Sequence, residues 1–462
     1  MLREVCEPSR IGLEKLSREF KRLFKWHPVV PQAEVKDIVA GYTGRLRLRY
    51  EEAARSLRED GPCTVKDARI SAFVKAEKYD ALAKARKPRM IWARRPRYNL
   101  ELASFLKPIE QSVYGLLKTP KRAGVPPTRV VAKGLNGPAR ANLIKRKMSH
   151  FVDCRVFEVD MTAFEAHHDL RVLRMEHALY RRFNPDPRLA QLLCWQEVNK
   201  GVTQNGIKFR REGGRASGDF NTGMGNSLAM VAMCVAAIEE IRPSGRWDLL
   251  ADGDNCLFFV EGKDLHLFTE SLTRVFRAFG HEAKVEKPVR VMEQVTFGQS
   301  RPVRTVLGWT MVRDPLKVLS GAFTGHRHYG ELRGGTRILK SVAQCELVLN
   351  RGVPILSVYA GLMLKELSQV RFAKKFEPDE LRYSVAMKDM AWQTVRDVEI
   401  SPEARASFAL AWNFTPDEQL AIEARLRCVG IEVPDRWDAV ASWCDGPEDL
   451  LIRGPSVADC EV

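Results

Sequence analysis

The chain has 462 residues, long for one hydrophobic core, so two or three subdomains are expected. Apolar residues make up 45%, an ordinary share for a folded chain, which excludes wholesale disorder. The formal charge of +16 points to a polyanionic partner, either a nucleic acid or an acidic membrane face. The longest apolar run, residues 228–238, is too short to span a bilayer, and the opening MLREVCEPSR has no h-region, so no secretory signal is expected. Ten cysteines without CxxC pairs suit reduced thiols in a cytosol-facing compartment. There are no internal repeats and no low-complexity segment.

Residues 1–60 place Leu13, Leu16, Phe20, Leu23 and Phe24 at helical spacing, with Lys15, Arg18, Lys21 and Arg22 between them as a solvated face. Ser71-Ala72-Phe73-Val74-Lys75 follows. Between Lys84 and Arg97 stand seven basic residues and no acidic one. Pro88 and Pro96 break regular structure there, while Met90-Ile91-Trp92 supply an apolar grip. A solvated charged face would not carry that cluster. The segment therefore reads as a rigid basic loop aimed at phosphates, where arginine forks are favoured. Residues 100–117 resume a helical pattern, and residues 118–127 and Lys133-Gly134-Leu135-Asn136-Gly137-Pro138 read as turns.

In residues 151–169, Val156, Phe157 and Val159 predict a buried strand with Asp160 at its end and Glu165 five residues on. His167 and His168 lack metal-ligand spacing and are expected to cap or pack. The loop Gly213-Gly214-Arg215-Ala216-Ser217-Gly218-Asp219-Phe220-Asn221 leads into an apolar helix, presenting Thr222 and Asn226 near its N-terminus; no Walker motif is present. Residues 249–260 are apolar on both sides of Asp252-Gly253-Asp254-Asn255, which predicts a β-hairpin with Asp254 and Asn255 at its tip. Such a turn is common in proteins that do no chemistry, so its weight comes from its neighbours. Residues 265–279 predict an amphipathic helix ending at Gly280, and residues 284–288 and 293–302 short strands. Helices are expected from about residue 305, with Ser401-Pro402-Glu403 and Thr415-Pro416-Asp417-Glu418 as helix starts. His326-Arg327-His328 reads as a surface loop.

A basic loop, a strand-end Asp, a Ser-Gly…Thr…Asn loop-helix and a Gly-Asp hairpin thus occur in order. Nucleotidyl transfer accounts for the combination. Two metal ions about 3.5–4 Å apart must contact the attacking hydroxyl, the α-phosphate and the leaving pyrophosphate. Carboxylates from separate strands hold them, and a basic loop neutralises the triphosphate.

These residues, over residues 71–302, resemble the RNA-dependent RNA polymerases of positive-strand RNA viruses, most closely the tombusvirus-like group. Lys87-Pro88-Arg89-x-Ile91, then Arg94, Arg97-Tyr98-Asn99 and Lys107-Pro108-Ile109-Glu110, resemble its motif F. Lys133-Gly134-Leu135-Asn136 is similar to a turn upstream of motif A. Asp160 to His167 resemble motif A, Arg215 to Asn226 motif B, Asp252 to Asn255 motif C, Lys284 the motif D lysine, and Phe297-Gly298-Gln299 with Pro302 motif E.

The resemblance implies that Asp160 and Asp254, with Asn255, hold the metals. Glu165, Ser217, Thr222 and Asn226 would read the ribose and place the base. Arg89 and Arg94 would bind the triphosphate, and Lys75, Lys87, Arg95, Arg97 and Lys133 the RNA. Lys284 would protonate pyrophosphate. The chain departs from the family where Glu165 and Asn255 replace Asp. Glu165 reaches one methylene further toward the ribose. Asn255 removes one negative charge, which favours Mn2+ over the expected Mg2+; negative-strand polymerases also carry Gly-Asp-Asn.

The implied fold is α+β, a right-hand polymerase with fingers, a palm bearing a small antiparallel sheet, and a helical thumb. Residues 1–150 would form the N-terminal extension and fingers, 151–170 the palm with motif A, 171–212 a fingers insertion, 213–304 the palm with motifs B to E, and 305–462 the thumb. The implied function is template-directed RNA synthesis from ribonucleoside triphosphates, replicating a viral RNA genome. One alternative is a catalytically weakened polymerase fold acting as an RNA-binding scaffold. The other is a reverse transcriptase, disfavoured because polar Glu165 and Asn226 suit ribose. RNA template and product are the expected partners. The expected location is the host cytoplasm at replication membranes, through a partner that supplies the anchor.

Overall fold

Apolar runs in two distant segments build the central sheet. In the computed structural model, residues 5–24, 28–42, 44–75, 88–323, 334–372 and 392–429 are described. Lys87 and the cluster His326, Arg327 and His328 lie outside them.

The chain divides into two units, and the first takes residues 1–73, 90–133 and 146–290. It opens with three helices, α1 (Arg10–Arg22), α2 (Val35–Ala40) and α3 (Gly44–Glu59), then strands β1 (Ile70–Val74) and β2 (Met90–Arg94) and the long helix α4 (Pro96–Leu116). Helix α5 (Gly137–Met148) ends in this unit and leads to β3 (Cys154–Met161), α6 (Leu170–Phe183), α7 (Pro187–Cys194), β4 (Val198–Thr203) and β5 (Lys208–Glu212). Then come α8 (Thr222–Ile241), β6 (Trp247–Asp252), β7 (Asn255–Glu261), α9 (Leu265–Ala278) and β8 (Ala283–Val285).

The central sheet has the order β6-β7-β3-β8, with every pairing antiparallel. Its interior strands are buried along their lengths: Val156, Phe157 and Val159 of β3 and residues 256–260 of β7 are at most 1% exposed. Such runs mark strands covered on both faces. Helices α8 and α9 join them in one core through Val231, Val235, Phe268 and Phe276. Helix α9 stops where expected, at Gly280, whose φ of +83° only glycine adopts without strain.

Two expectations need correction. The apolar helix is 20 residues long, because Asn226 and Ser227 at one end and Glu239 and Glu240 at the other continue it beyond the apolar run. By length and composition it could cross a membrane, yet 89% of its most apolar window is buried within the protein. A second sheet, of order β2-β1-β4-β5, also escaped the sequence reading. β1 pairs in parallel with β4, 131 residues away at Ile70↔Gly201. A side chain at Gly201 would run into the Ile70 carbonyl, so the pairing depends on glycine there.

The second unit takes residues 74–89, 134–145 and 291–462. From about residue 305 helices dominate as expected, but they begin only at Pro315: β9 (Ser300–Thr305) and β10 (Gly308–Arg313) first form an antiparallel hairpin. Val303 and Val312 are buried while Arg304 between them is exposed, the alternation of a half-covered strand. Helices follow: α10 (Pro315–Gly321), α11 (Gly334–Leu349), α12 (Leu356–Glu366), α13 (Pro402–Trp412) and α14 (Pro416–Val429). Phe408 and Ala411 of α13 share a core with Val303 and Val312. Both helix starts hold. Ser401 Oγ accepts from the Ala404 amide, and Thr415 and Glu418 exchange side-chain-to-amide bonds as a capping box.

Candidate active site

Register brings the expected carboxylates together at one end of the central sheet. Asp252 lies opposite Asn255, Asn255 opposite Asp160, and Asp160 opposite Lys284. Directly opposed residues share a face with Cβ atoms about 5 Å apart, so these four form one row. The turn joining β6 to β7 is Gly253-Asp254, with φ of +68° at Gly253, as a two-residue hairpin with glycine first requires. Asp254 therefore stands at the tip, whereas Asn255 is already the first residue of β7. The Met161 amide donates to the Asp254 carbonyl (3.2 Å), which ties the tip to the end of β3. Ser227 Oγ accepts from the Gly253 amide (3.0 Å), which fixes the turn against α8.

This clustering costs the carboxylates their usual acidity. Burial, with Glu165 and Asp160 adding like charge, pushes Asp254 up to about 6 despite Lys133 nearby. Burial also lifts Asp160 and Glu158 above their ordinary values. The Asn255 amide donates to Glu158 Oε1 (3.1 Å), leaving its own Oδ1 buried with no hydrogen-bond partner. Among the described residues no three His, Cys, Asp or Glu side chains close around a metal. An open set fits the implied ion better. Hard divalent cations that keep several waters take one or two carboxylates, and Asp160, Asp254 and the Asn255 oxygen offer oxygen donors and surplus negative charge.

The residues expected to read the ribose meet on the adjoining loop and helix. Asn226, in the second turn of α8, donates to Glu165 Oε1 (3.2 Å). The Arg215 amide donates to the Glu165 carbonyl (2.8 Å) and the Gly214 amide to His168 (2.8 Å), so the two segments are bonded along their backbones. Gly213 and Gly214 reach this path with φ of +64° and +70°. Ser217 Oγ accepts from the Trp92 amide, and Thr222 Oγ1 donates to the Ala216 carbonyl. Ala163, between Asp160 and Glu165, has φ of +47°, an uncommon strain for alanine at a turn that carries a site.

Beneath the loop lies a buried polar network that the sequence did not reveal. Glu176 of α6 pairs with Arg215 and accepts from Tyr180 (2.8 Å) and Asn221 (3.2 Å). Burial opposes its charge, but Arg215 and His168 hold the carboxyl well below the usual range. His168, His177 and His281 are all buried and depressed by that burial, His177 to about 4. In the unfolded chain they titrate near about 6.5. As pH falls below that value the unfolded state takes up protons first, so stability is lost between pH 6.5 and about 4. Each imidazole should contribute roughly 1 kcal/mol per pH unit. Melting temperatures recorded at pH 7.5, 6.5 and 5.5 should fall, and less steeply in His281→Phe, which removes one of the three.

The basic residues divide. Arg94 is 4% exposed, and its guanidinium is committed to Asp219 (2.6 Å), the Ala68 carbonyl and Asn199. It pins β2 to the loop before α8 and is not presented to a triphosphate. Arg97 is likewise held, by Ser56, the Gly61 carbonyl and Asp67. Arg95 stays half-exposed, 3.9 Å from Asp67. Arg89 is exposed, and its carbonyl accepts from the Lys75 amide; both belong to the second unit. Lys284 is largely exposed and pairs with Glu286, which keeps it protonated. Lys133, expected on the RNA, lies beside the acidic row, with Nζ 3.7 Å from Asp252.

A carboxylate row beside a polar loop at a helix N-terminus suits phosphoryl transfer. The sequence places that chemistry: over residues 3–433 the chain matches the family described as viral RNA dependent RNA polymerase, and it belongs to that family. The RNA-directed RNA polymerase of Carnation mottle virus is 33% identical over 442 residues, covering 95% of this chain and 55% of that protein. That of Turnip crinkle virus is 31% identical, covering 89% and 52%, and that of Tomato bushy stunt virus (strain Cherry) is 31% identical, covering 99% and 53%. The chain thus spans about half the length of the curated relatives it matches.

Proposed function

We propose that this chain is the catalytic region of an RNA-directed RNA polymerase, building RNA on an RNA template from ribonucleoside triphosphates. The observation that carries the proposal is the convergence of Asp160 and Asp254 at one sheet end, beside the Glu165–Asn226 hydrogen bond. The first unit's central sheet would belong to the palm, which would take residues 151–170 with motif A and residues 213–304 with motifs B to E, the part from residue 291 onward coming from the second unit. Residues 1–150 and 171–212 would be fingers, and residues 305–462 the thumb.

In the reaction the 3′-oxygen of the growing strand bonds to the α-phosphorus and the bond to pyrophosphate breaks. Asp160, Asp254 and the Asn255 oxygen would hold two divalent cations, Mg2+ or Mn2+. Bound there, the ions supply Lewis-acid stabilisation to the attacking and leaving oxygens. Asn226 orients the Glu165 carboxylate, which then accepts from the ribose 2′-hydroxyl; Ser217 and Thr222 line the approach of the base. Lys284, kept charged by Glu286, would give its proton to pyrophosphate. Lys75, Lys87 and Arg95 would follow the RNA backbone, where phosphate contacts dominate affinity. Replication at host membranes would take its anchor from a partner or from another segment of a longer protein.

Asn255 favours a second reading, an RNA-binding scaffold that has lost synthesis. Primer extension on an RNA template, with Mg2+ and then Mn2+, separates the two: incorporation of ribonucleotides supports the polymerase, and RNA binding without extension overturns it. Preference for deoxynucleotides would indicate a reverse transcriptase. Asn255→Asp adds a carboxylate to the row and removes the donor to Glu158. The Mg2+ concentration giving half-maximal extension should fall severalfold, and the advantage of Mn2+ should shrink.

A further inference from the structure

The acidic row has a lysine at each end, and the two are placed differently. Lys284 points its ammonium to Glu286 and stands in solvent. Lys133 is built in. It follows a short segment bonded to β6 in parallel, with the Ala132 amide donating to Ala251 and the Ala251 amide to Val130, both 2.8 Å. The Arg129 guanidinium clasps the carbonyls of Val131 and Lys133 from behind. The backbone at Lys133 is therefore fixed relative to the Asp252-Gly253-Asp254 turn.

Its side chain then runs between that turn and the start of α8. The ammonium is 3.7 Å from Asp252 Oδ1, and Lys133 Cε lies where a side chain at Gly223 would meet it, at 3.2 Å. Glycine at position 223 leaves the channel open. A helix N-terminus carries partial positive charge and repels an ammonium, whereas the carboxylates of the turn attract Lys133 there. A divalent ion on Asp254 would bring like charge to the same place.

We propose that the Lys133 ammonium is the resident counter-cation of the Asp252–Asp254 turn, which metal must displace and which then transfers to the phosphates of the incoming nucleotide. This rests on the polymerase reading. Lys133 thereby sets metal affinity: it lowers affinity in the empty centre and raises nucleotide affinity in the loaded one. Asn255 strengthens the effect, since a row one carboxylate short leaves less negative charge for the lysine to offset.

The test is Mn2+ binding to the protein free of RNA and nucleotide, by titration calorimetry and by loss of the free-ion electron paramagnetic resonance signal. Lys133→Met should bind Mn2+ roughly tenfold more tightly than wild type, as removal of one unit charge at a partly solvated site implies. Lys133→Arg should stay near wild type. In primer extension Lys133→Met should raise KM for nucleotide more than it lowers kcat. Equal Mn2+ affinity in wild type and Lys133→Met, with both folded by circular dichroism, would overturn the counter-cation role and leave the polymerase reading standing. No Mn2+ binding by wild type, together with no extension, would overturn the polymerase reading and this inference with it.

Discussion

Asp254→Ala is expected to abolish primer extension, by roughly a thousandfold or more, while RNA binding stays near wild type. The loss follows from position: Asp254 is at the tip of the β6–β7 turn, tied to β3 through Met161 and coupled to Asp160 and Glu165. Under the proposed reading, removing it takes away an oxygen that would hold metal, and such charge stabilisation is worth several kcal/mol at the transition state. The stability effect should have the opposite sign. A carboxyl raised to about 6 in the folded chain binds its proton more tightly there than in the unfolded one. Its ionisation therefore costs the folded state stability as pH rises from about 4 through 6. In metal-free buffer at pH 7.5 the conservative Asp254→Asn should melt higher than wild type while being inactive. A variant that lost activity and melted lower would mark Asp254 as structural; retained extension would remove it from the chemistry altogether.

The contrast between Asp254 and Arg94 shows which parts of the site could be read from sequence. Asp160, Glu165, Asn226 and Asp254 are visible because their chemistry is written into short segments: a strand end, a loop before an apolar helix, a Gly-Asp turn. Arg94 stands in a segment just as distinctive, yet its partner Asp219 is 125 residues away, and nothing local separates a buried fork from a phosphate ligand. Partners on separate elements likewise concealed the contact of Lys133 with Asp252 and the Glu176–Arg215 pair. In the fold, the buried strands β3 and β7 and the capped helices α13 and α14 were legible from burial pattern and caps. Strands β4 and β5 were not: Lys200, Lys208, Arg210, Arg211 and Glu212 give them the composition of a surface loop, and it is the pairing of β4 with β1 on one side and β5 on the other that makes them part of a sheet. The hairpin β9–β10 was lost to the helices around it, although Val303 and Val312 alternate with polar neighbours.

Glu176→Ala is expected to be the most damaging substitution away from the chemistry. Glu176 and Arg215 are both at most 1% exposed, and the pair sits under the loop that carries Ser217 and leads to Thr222 and Asn226. Removing the carboxylate leaves the guanidinium buried without its counter-charge, together with the Tyr180 hydroxyl and the Asn221 amide that it accepted from. Breaking one side of such a pair costs about 3–5 kcal/mol, a large part of the stability of an ordinary domain. Thermal and urea unfolding should show that loss, and Glu176→Gln, which keeps acceptors for Tyr180 and Asn221, should recover part of it. Replacing both partners, as in Glu176→Leu with Arg215→Met, removes the uncompensated charge and should restore more stability than either single change. Activity should not return with it. Arg215 also bonds to His168, and its backbone holds Glu165, so an apolar substitute leaves the loop folded but free to shift against Asn226. A double variant as active as wild type would mean that the network only stabilises; one that is stable but slow, with a raised KM for nucleotide, would mean that this buried charge positions the Glu165–Asn226 pair proposed to read the ribose.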